Sequence, residues 1–448
     1  MKNVVLIVSD QHRADAYGYI DNSYKTPNID WLVSNGICFT KATCSLAQCT
    51  PSRASMVTGL YPHQVGVRQI GHCLSDRYHT VAKEFKKNGY QTAHFGKWHL
   101  YSKLEDHGYD LIDYDDEGLT LEDVKSNNEK EDVKRTARAV NYIRNSDENK
   151  PFFLTLSLIN PHPPFENIKP FDELYKESDA KVPYSFNADD LSTKPVWQSE
   201  RAKKGESNIN EEIIRDDNLK YRSMVSFVDW CVGNVLKMLK EKNLMENTVI
   251  AFTSDHGDMQ GAHKLRFKGV VPYREIYDIP YIFYVPGLIP KRKVVDDLVV
   301  NTSLPGTLLE AAGLAVPACF EGGSVLSCAQ KEFAPDDEEV FFEHWRAYWA
   351  IHPLRGVKTR KWKYVFYFQD DFEEMYDLES DPDECNNIAY KKELESTKQE
   401  LRLKVDQWWE ETGALSVEPI NARVCESEDK LQADGRSDFI SGEWAKLL

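Results

Sequence analysis

Short apolar runs alternate with stretches of helical periodicity along this chain of 448 residues, the pattern of a parallel sheet wrapped by helices. Five runs read as strands: Val4–Val8, Thr92–Phe95, Phe152–Ile159, Thr248–Thr253 and Tyr281–Val285. Their apolarity is continuous, which fits strands covered on both faces. Thr80 is placed to cap a helix that runs to Gly89. From Glu211 to Lys242, Ile214, Leu219, Met224, Phe227, Val228, Val232, Val235, Leu236 and Leu239 recur mostly at three or four positions, predicting one long helix. A charged, proline-containing stretch, Ala329–Glu339, marks a boundary. Beyond it Tyr364–Phe368 reads as a strand and Leu394–Trp409 as an amphipathic helix. The expected architecture is α/β: a large mixed, mostly parallel sheet flanked by helices over residues 1–335. A smaller α+β subdomain, with a small antiparallel sheet and a helix, is expected over residues 336–448. The tail after Gly413 has too little periodicity for an assignment.

The residues just beyond each strand are more telling. Val4–Val8 ends at Ser9-Asp10-Gln11-His12, and Thr92–Phe95 at Gly96-Lys97-Trp98-His99. Phe152–Ile159 ends at Asn160-Pro161-His162-Pro163, and Thr248–Thr253 at Ser254-Asp255-His256-Gly257-Asp258. Open α/β sheets bind ligands beyond the carboxyl ends of their strands. Four strands each delivering a charged or metal-binding group to one edge point to an active site.

Charge narrows the partners. Lys and Arg total 55 against 72 Asp and Glu, a formal net charge of −17. That balance argues against nucleic acid and against an anionic membrane surface. An anionic substrate must then meet a metal or a local cluster of cations. No apolar run reaches the ~18 residues of a membrane span. The amino-terminal apolar run is too short for a secretory signal. Nine cysteines with no pair at Cys-x-x-Cys spacing do not suggest a disulfide framework. The expectation is a cytoplasmic protein with reduced thiols.

Asp10, Gln11, Asp255 and His256 form two adjacent pairs at two strand ends. Carboxylate and amide oxygens suit a hard cation such as Ca²⁺ or Mg²⁺, and the imidazole adds Mn²⁺, Zn²⁺ or Fe²⁺. In Cys49-Thr50-Pro51-Ser52-Arg53, Pro51 falls in a first helical turn and Gly59 where the helix would end. Cys49 would then lie at a helix amino terminus, which stabilises thiolates and anions. On residues alone this is a cysteine nucleophile, a redox thiol or a packing residue.

Cys49-Thr50-Pro51-Ser52-Arg53, with Gly59 downstream, resembles the signature of the type I sulfatases of the alkaline phosphatase superfamily. Further family-like motifs stand in order: Asp10-Gln11, Gly96-Lys97-Trp98-His99, Pro161-His162, Ser254-Asp255-His256-Gly257, and Lys268 ahead of Tyr273. Asp377-Leu378 with Asp381-Pro382 and Asn387 completes them. The resemblance spans most of residues 1–390 and implies an alkaline-phosphatase/sulfatase-like fold. It implies that a maturase oxidises Cys49 to formylglycine. It also implies one divalent metal, Ca²⁺ ahead of Mn²⁺ or Mg²⁺, held by Asp10, Gln11, residue 49, Asp255 and His256. One hydroxyl of the hydrated formylglycine would attack sulfur and form a covalent sulfo-enzyme. The second hydroxyl, deprotonated with help from His99, would then release sulfate. Arg53 would hold the diol, Lys97 and Lys268 would clamp sulfate oxygens, and His162 would protonate the leaving oxygen. The implied activity is hydrolysis of sulfate esters, with a sulfated mono- or oligosaccharide as substrate.

Gln11 and His256 depart from the commoner family residues and are reminiscent of phosphonate monoester hydrolases. A phosphonate or phosphate ester hydrolase is therefore the alternative, and a non-catalytic sulfosugar-binding protein with unmodified Cys49 the third reading. Among Phe342-Glu343-His344-Trp345-Arg346-Ala347-Tyr348-Trp349, His344, Trp345 and Arg346 are the candidate sugar contacts. An aromatic packing seam explains the same stretch equally well. His63, Gln64, Arg68 and His72 are further rim candidates, and His263 either lines the site or supports it.

Overall fold

In the computed structural model, residues 1–110, 127–204, 209–290, 292–336, 338–347 and 351–413 are described. The strands follow in chain order as β1 (Asn3–Ser9), β2 (Ile37–Phe39), β3 (Ala42–Thr43), β4 (Gln91–Gly96), β5 (Phe152–Ser157), β6 (Thr248–Ser254) and β7 (Tyr281–Tyr284). After them come β8 (Val294–Val295), β9 (Val299–Val300), β10 (Glu339–His344), β11 (Leu354–Thr359), β12 (Trp362–Tyr367) and β13 (Phe372–Asp377). All five apolar runs read from the sequence form strands.

Seven strands make the large sheet, in the order β4-β5-β1-β6-β7-β2-β8. β4, β5, β1 and β6 run parallel. β7 is antiparallel to both β6 and β2, so the sheet is mixed and mostly parallel. Alternate residues of β1 feed two cores: Val4, Leu6 and Val8 face one, Val5 and Ile7 the other. Burial on both faces is why β1 shows no polar alternation. The helix Glu211–Glu241 lays Met224, Phe227, Val228, Val232 and Val235 into the second core. Thr80 caps the helix Val81–Lys87 by accepting from the Lys83 backbone N–H.

The smaller sheet is antiparallel, in the order β10-β11-β12-β13. The helix Glu395–Glu411 packs on it through Leu401 and Val405. The fold is thus a large mixed, mostly parallel sheet flanked by helices plus a smaller antiparallel subdomain. Residues after Gly413, and Tyr348 and Trp349, lie outside the described residues.

The Phe152–Ile159 run leaves the sheet earlier than its apolarity predicts, at Ser157. Leu158 donates its N–H to Val8 O, and Ile159 donates to the carboxylate of Asp132 on the helix Asn127–Arg144. Apolarity persists there because the residues stay buried, although the ladder has ended.

Candidate active site

Strand register builds the site. Ser9 pairs with Ser254, so Asp10 and Asp255 leave neighbouring parallel strands side by side. Gly96 pairs with Ser157 on the far flank, which brings Lys97 to the same edge. Gly96 has φ of +114°, and a Cβ there would lie 1.9 Å from Ser157 O, so glycine is the residue this exit admits. Gln11 and His99 hold positive φ of 63° and 58°. Strained backbone of this kind clusters at functional sites.

The helix Cys49–Thr58 points its first residue into this edge. Cys49 Sγ lies 3.2 Å from His256 Nε2 and 3.8 Å from Asp10 Oδ1. His256 Nδ1 donates to Gly257 O at 2.9 Å, which leaves Nε2 facing the thiol. Asp10, Cys49, Asp255 and His256 each bring a ligand atom within 4.8 Å of the others, and all are buried. Two carboxylates, an imidazole and a sulfur gathered on one buried spot can hold a divalent cation.

Arg53 braces the acids. Its Nε donates to Asp255 Oδ2 at 2.8 Å and its Nη2 to Asp10 Oδ2 at 3.2 Å. Nη1 is taken up by Lys97 O and Ser157 Oγ. Lys97 Nζ pairs with Asp10 Oδ2. Burial and the Cys49 thiol push the Asp10 carboxyl up, but Lys97, His162 and Arg53 together hold it well below the ordinary carboxylate range. Burial likewise raises the Cys49 thiol, and Lys268, Lys97 and His256 overcome it, leaving Cys49 well below an ordinary thiol. The neighbourhood is thus strongly electropositive at position 49 in spite of the acidic chain.

Gln11 turns its amide toward Lys268 and Asp258: Lys268 Nζ donates to Oε1 at 2.6 Å, and Nε2 donates to Asp258 Oδ2. His162 commits Nδ1 to Pro163 O at 2.7 Å, and its ring interacts with Cys49. His99 Nε2 lies 3.0 Å from the Tyr101 hydroxyl. Burial and then Lys97 lower the His99 pKa. The structure therefore brings Asp10, Gln11, Cys49, Arg53, Lys97, His99, His162, Asp255, His256 and Lys268 together at one edge.

The rim residues fare differently. His344 is 1 % exposed and Trp345 4 %, so neither offers a face to solvent. Trp345 packs at 5.7 Å from both Phe368 and Trp409, which is the packing seam. Arg346 is part-exposed. His63 is buried as a tie, with Nδ1 2.8 Å from Glu343 Oε2. Gln64 donates to Glu321. His263 lies on Tyr273, ring centroids 3.6 Å apart, with Nδ1 2.7 Å from Asp189; it supports the loop between Asp255 and Lys268.

Several supporting residues have no signal in sequence spacing. Ser52 Oγ donates to Asp255 O at 2.5 Å and accepts from Asn301 at 2.8 Å. Asp132 gathers the N–H groups of Ile159 and Asn160 ahead of His162. Asp258 stands out in the sequence only as the end of the Ser254–Asp258 run.

The sulfatase family model matches residues 2–314. A second model, the N-sulphoglucosamine sulphohydrolase C-terminal region, matches residues 261–411. The chain is 28 % identical to an arylsulfatase of Clostridium perfringens, covering 89 % of this chain and 92 % of that one. It is 28 % identical to a delta 4,5-hexuronate-2-O-sulfatase of Bacteroides thetaiotaomicron, covering 86 % and 84 %. Among solved structures, a 2-O GAG sulfatase superposes with a TM-score of 0.77 at 26 % identity, covering 92 % of each chain. The phosphonate monoester hydrolase of Agrobacterium radiobacter shares the fold, with a TM-score of 0.75 at 22 % identity, covering 92 % and 96 %. No helix among the described residues is long and apolar enough to cross a membrane. With the family model spanning the strand ends that carry the buried constellation, the chain belongs to the sulfatase family and is an enzyme that hydrolyses sulfate esters at a metal-binding active site.

Proposed function

We propose that this sulfatase releases sulfate from a sulfated mono- or oligosaccharide, after a maturase has converted Cys49 to formylglycine. The observation that carries this reading is the placing of Cys49. It starts a helix at the sheet edge, is buried, and faces His256, Asp10, Lys97, Lys268, His99 and His162 at once. Relatives described as acting on hexuronate-2-O-sulfate, N-acetylglucosamine-6-O-sulfate and ulvan support a sugar substrate.

Asp10, Asp255, His256 and residue 49 would hold the cation, with Ca²⁺ favoured by the carboxylate oxygens and Mn²⁺ or Mg²⁺ as alternatives; Gln11, expected from the sequence as a further ligand, instead gives its amide oxygen to Lys268. When bound, a divalent cation supplies positive charge against the nucleophile and the sulfate oxygens. Hydrated formylglycine would supply two hydroxyls on one carbon, a nucleophile toward sulfur and a group whose deprotonation lets sulfate leave. Lys97 and Lys268 neutralise charge spreading over the sulfate oxygens. Arg53 fixes the two aspartates. His162, whose Nδ1–H is held by Pro163 O, gives up the Nε2 proton of its imidazolium form to the leaving oxygen as the sulfur–oxygen bond breaks; burial and Lys268 work against that form, and the Asp10 carboxylate favours it. His99 takes the proton of the second hydroxyl.

Ion chromatography of the anion released from sulfate, phosphate and phosphonate esters tests this, with enzyme co-produced with a maturase and supplied with Ca²⁺ or Mn²⁺. Sulfate should dominate. Phosphate or phosphonate as the main product would move the reading to the alternative that Gln11 and His256 favour. Tight sulfosugar binding without turnover, with Cys49 intact by peptide mass, would support the non-catalytic reading.

A further inference from the structure

The turn after Lys97 holds two rings against each other. His99 and Tyr101 both have left-handed backbone, with φ of 58° and 53°. Bulky side chains rarely adopt that conformation, and where the surrounding structure enforces it the position is commonly a functional one. Leu100 between them is fully buried, in a small apolar cluster with Ala54, Val65 and Leu74. Trp98 Nε1 donates to Ser102 O at 2.9 Å, and the Leu74 N–H donates to Leu100 O at 3.0 Å. The turn is thus pinned across its ends and at its centre. It sets the His99 and Tyr101 ring centroids 5.3 Å apart, tilted by 48°, with the Tyr101 hydroxyl 3.0 Å from His99 Nε2.

That contact bears on which ring nitrogen is open to the chemistry. His99 interacts with Cys49, and with Nε2 engaged by Tyr101 the nitrogen left over is Nδ1. It is shut off from solvent and has no hydrogen-bond partner among the described residues. A neutral imidazole carries a proton on one nitrogen and a lone pair on the other. A proton on Nδ1 would be a buried donor with nothing to accept it, which folded chains rarely leave. On Nε2 the same proton has the Tyr101 oxygen as its acceptor. Burial first, and then Cys49, push the Tyr101 hydroxyl up to about 12, and the Gly71 backbone and Thr50 side chain also interact with it. The acceptor is therefore a neutral phenol held in place from several sides.

We propose that Tyr101 is a positioning residue for sulfate release: its hydroxyl oxygen accepts the Nε2 proton of His99 and so leaves the Nδ1 lone pair for residue 49. This rests on the sulfatase reading above, in which His99 takes the proton of the second hydroxyl. The electron pair left on that oxygen closes the carbonyl as the carbon–oxygen bond to sulfate breaks, and sulfate leaves with the bonding pair. Attack on sulfur needs nothing from Tyr101, so its loss should separate the two halves of the reaction.

Tyr101→Phe keeps the ring and removes the hydroxyl. With matured, metal-supplied enzyme and nitrophenyl sulfate, kcat should fall by about tenfold or more. KM should fall with it, leaving kcat/KM within about twofold of wild type, and nitrophenol should appear in a burst before the steady state. Tyr101→Leu is the second variant, should the phenylalanine protein fold poorly. Isotope-edited histidine spectra of the unmatured, metal-free chain give a reading independent of turnover. The His99 signal, assigned with His99→Gln, should show the proton on Nε2 in wild type and a mixture of tautomers in Tyr101→Phe. An unchanged kcat, a loss confined to kcat/KM, or a wild-type proton on Nδ1 overturns the inference, while sulfate release leaves the sulfatase reading standing. No sulfate from wild type on nitrophenyl sulfate or on sulfated sugars overturns that reading, and the role in release with it.

Discussion

Lys268 is held by Gln11: its Nζ donates to the amide oxygen at 2.6 Å, while the amide nitrogen of the same side chain donates to Asp258. Asp258 is fully buried and also accepts from the Gln260 N–H at 2.8 Å. A carboxylate can only accept, so it fixes which end of the Gln11 amide faces the lysine. On the proposed mechanism, Asp258 would be a positioning residue that acts on the sulfate through Gln11 and Lys268.

Asp258→Asn keeps the volume and removes that constraint. KM for sulfate esters should rise by about tenfold, or ~1.4 kcal/mol, with a smaller change in kcat, because the lysine loses its fixed place. Steady-state kinetics on one sulfate ester checks the split. An unchanged KM would mean that Lys268 is held by other contacts.

Cys49→Ala should lose turnover by on the order of 10³-fold or more while keeping the far-ultraviolet circular dichroism of the wild type. The side chain faces the site and leaves the sheet core untouched. Retained activity would remove residue 49 from the chemistry.

His162→Ala should discriminate by leaving group. Alkyl sulfates need a proton at the departing oxygen and should slow by ~10²-fold or more. Nitrophenyl sulfate, whose leaving oxygen is already stable as an anion, should slow far less. Equal losses on both would deny His162 the acid role.

A pH dependence is expected far from the site. Asp229 caps the helix Pro27–Asn35, accepting from Ile29 N–H at 2.7 Å and Asn28 N–H at 2.9 Å. Burial outweighs these donors and pushes its carboxyl up to about 7. The folded protein therefore binds this proton more tightly than the unfolded chain does. The stabilisation is complete below the unfolded value of ~3.9 and is lost as pH rises through the folded value. Between about pH 5 and about pH 8 the wild type should lose ~2 kcal/mol that Asp229→Asn does not. Urea unfolding at the two pH values reads this, and parallel losses in both proteins would assign the slope elsewhere.

Much of the large sheet is legible in the sequence because strands covered on both faces leave uninterrupted apolar runs, as in Val4–Val8 and Thr248–Thr253. The long helix Glu211–Glu241 is legible because its periodicity persists over many turns. β2 is three residues long, too short for any pattern. β11 reads Leu-Arg-Gly-Val-Lys-Thr, and its charged residues mask it. Asn127–Arg144 escapes a sequence reading because its polar residues outweigh a narrow apolar stripe. At the site, residues adjacent to strand ends can be read, whereas Asn301 and Asp132 act from distant parts of the chain. Burial of His344 and Trp345 comes with the seam to Phe368 and Trp409, which only tertiary packing reveals.

The grip of Glu343 on His63 has an evolutionary consequence. Glu343 takes both the His63 backbone N–H and its imidazole, each at 2.8 Å, and gives its own N–H to Ser45 at 2.9 Å. The strand that carries it belongs to the small sheet, yet it is stitched to a loop before Cys49 and to the short helix Pro62–Val65 after it. The small sheet cannot therefore be exchanged between relatives as a free-standing cassette. A chimera has to carry positions 45, 63 and 343 together, or it will misplace the wall of the catalytic chamber along with the graft.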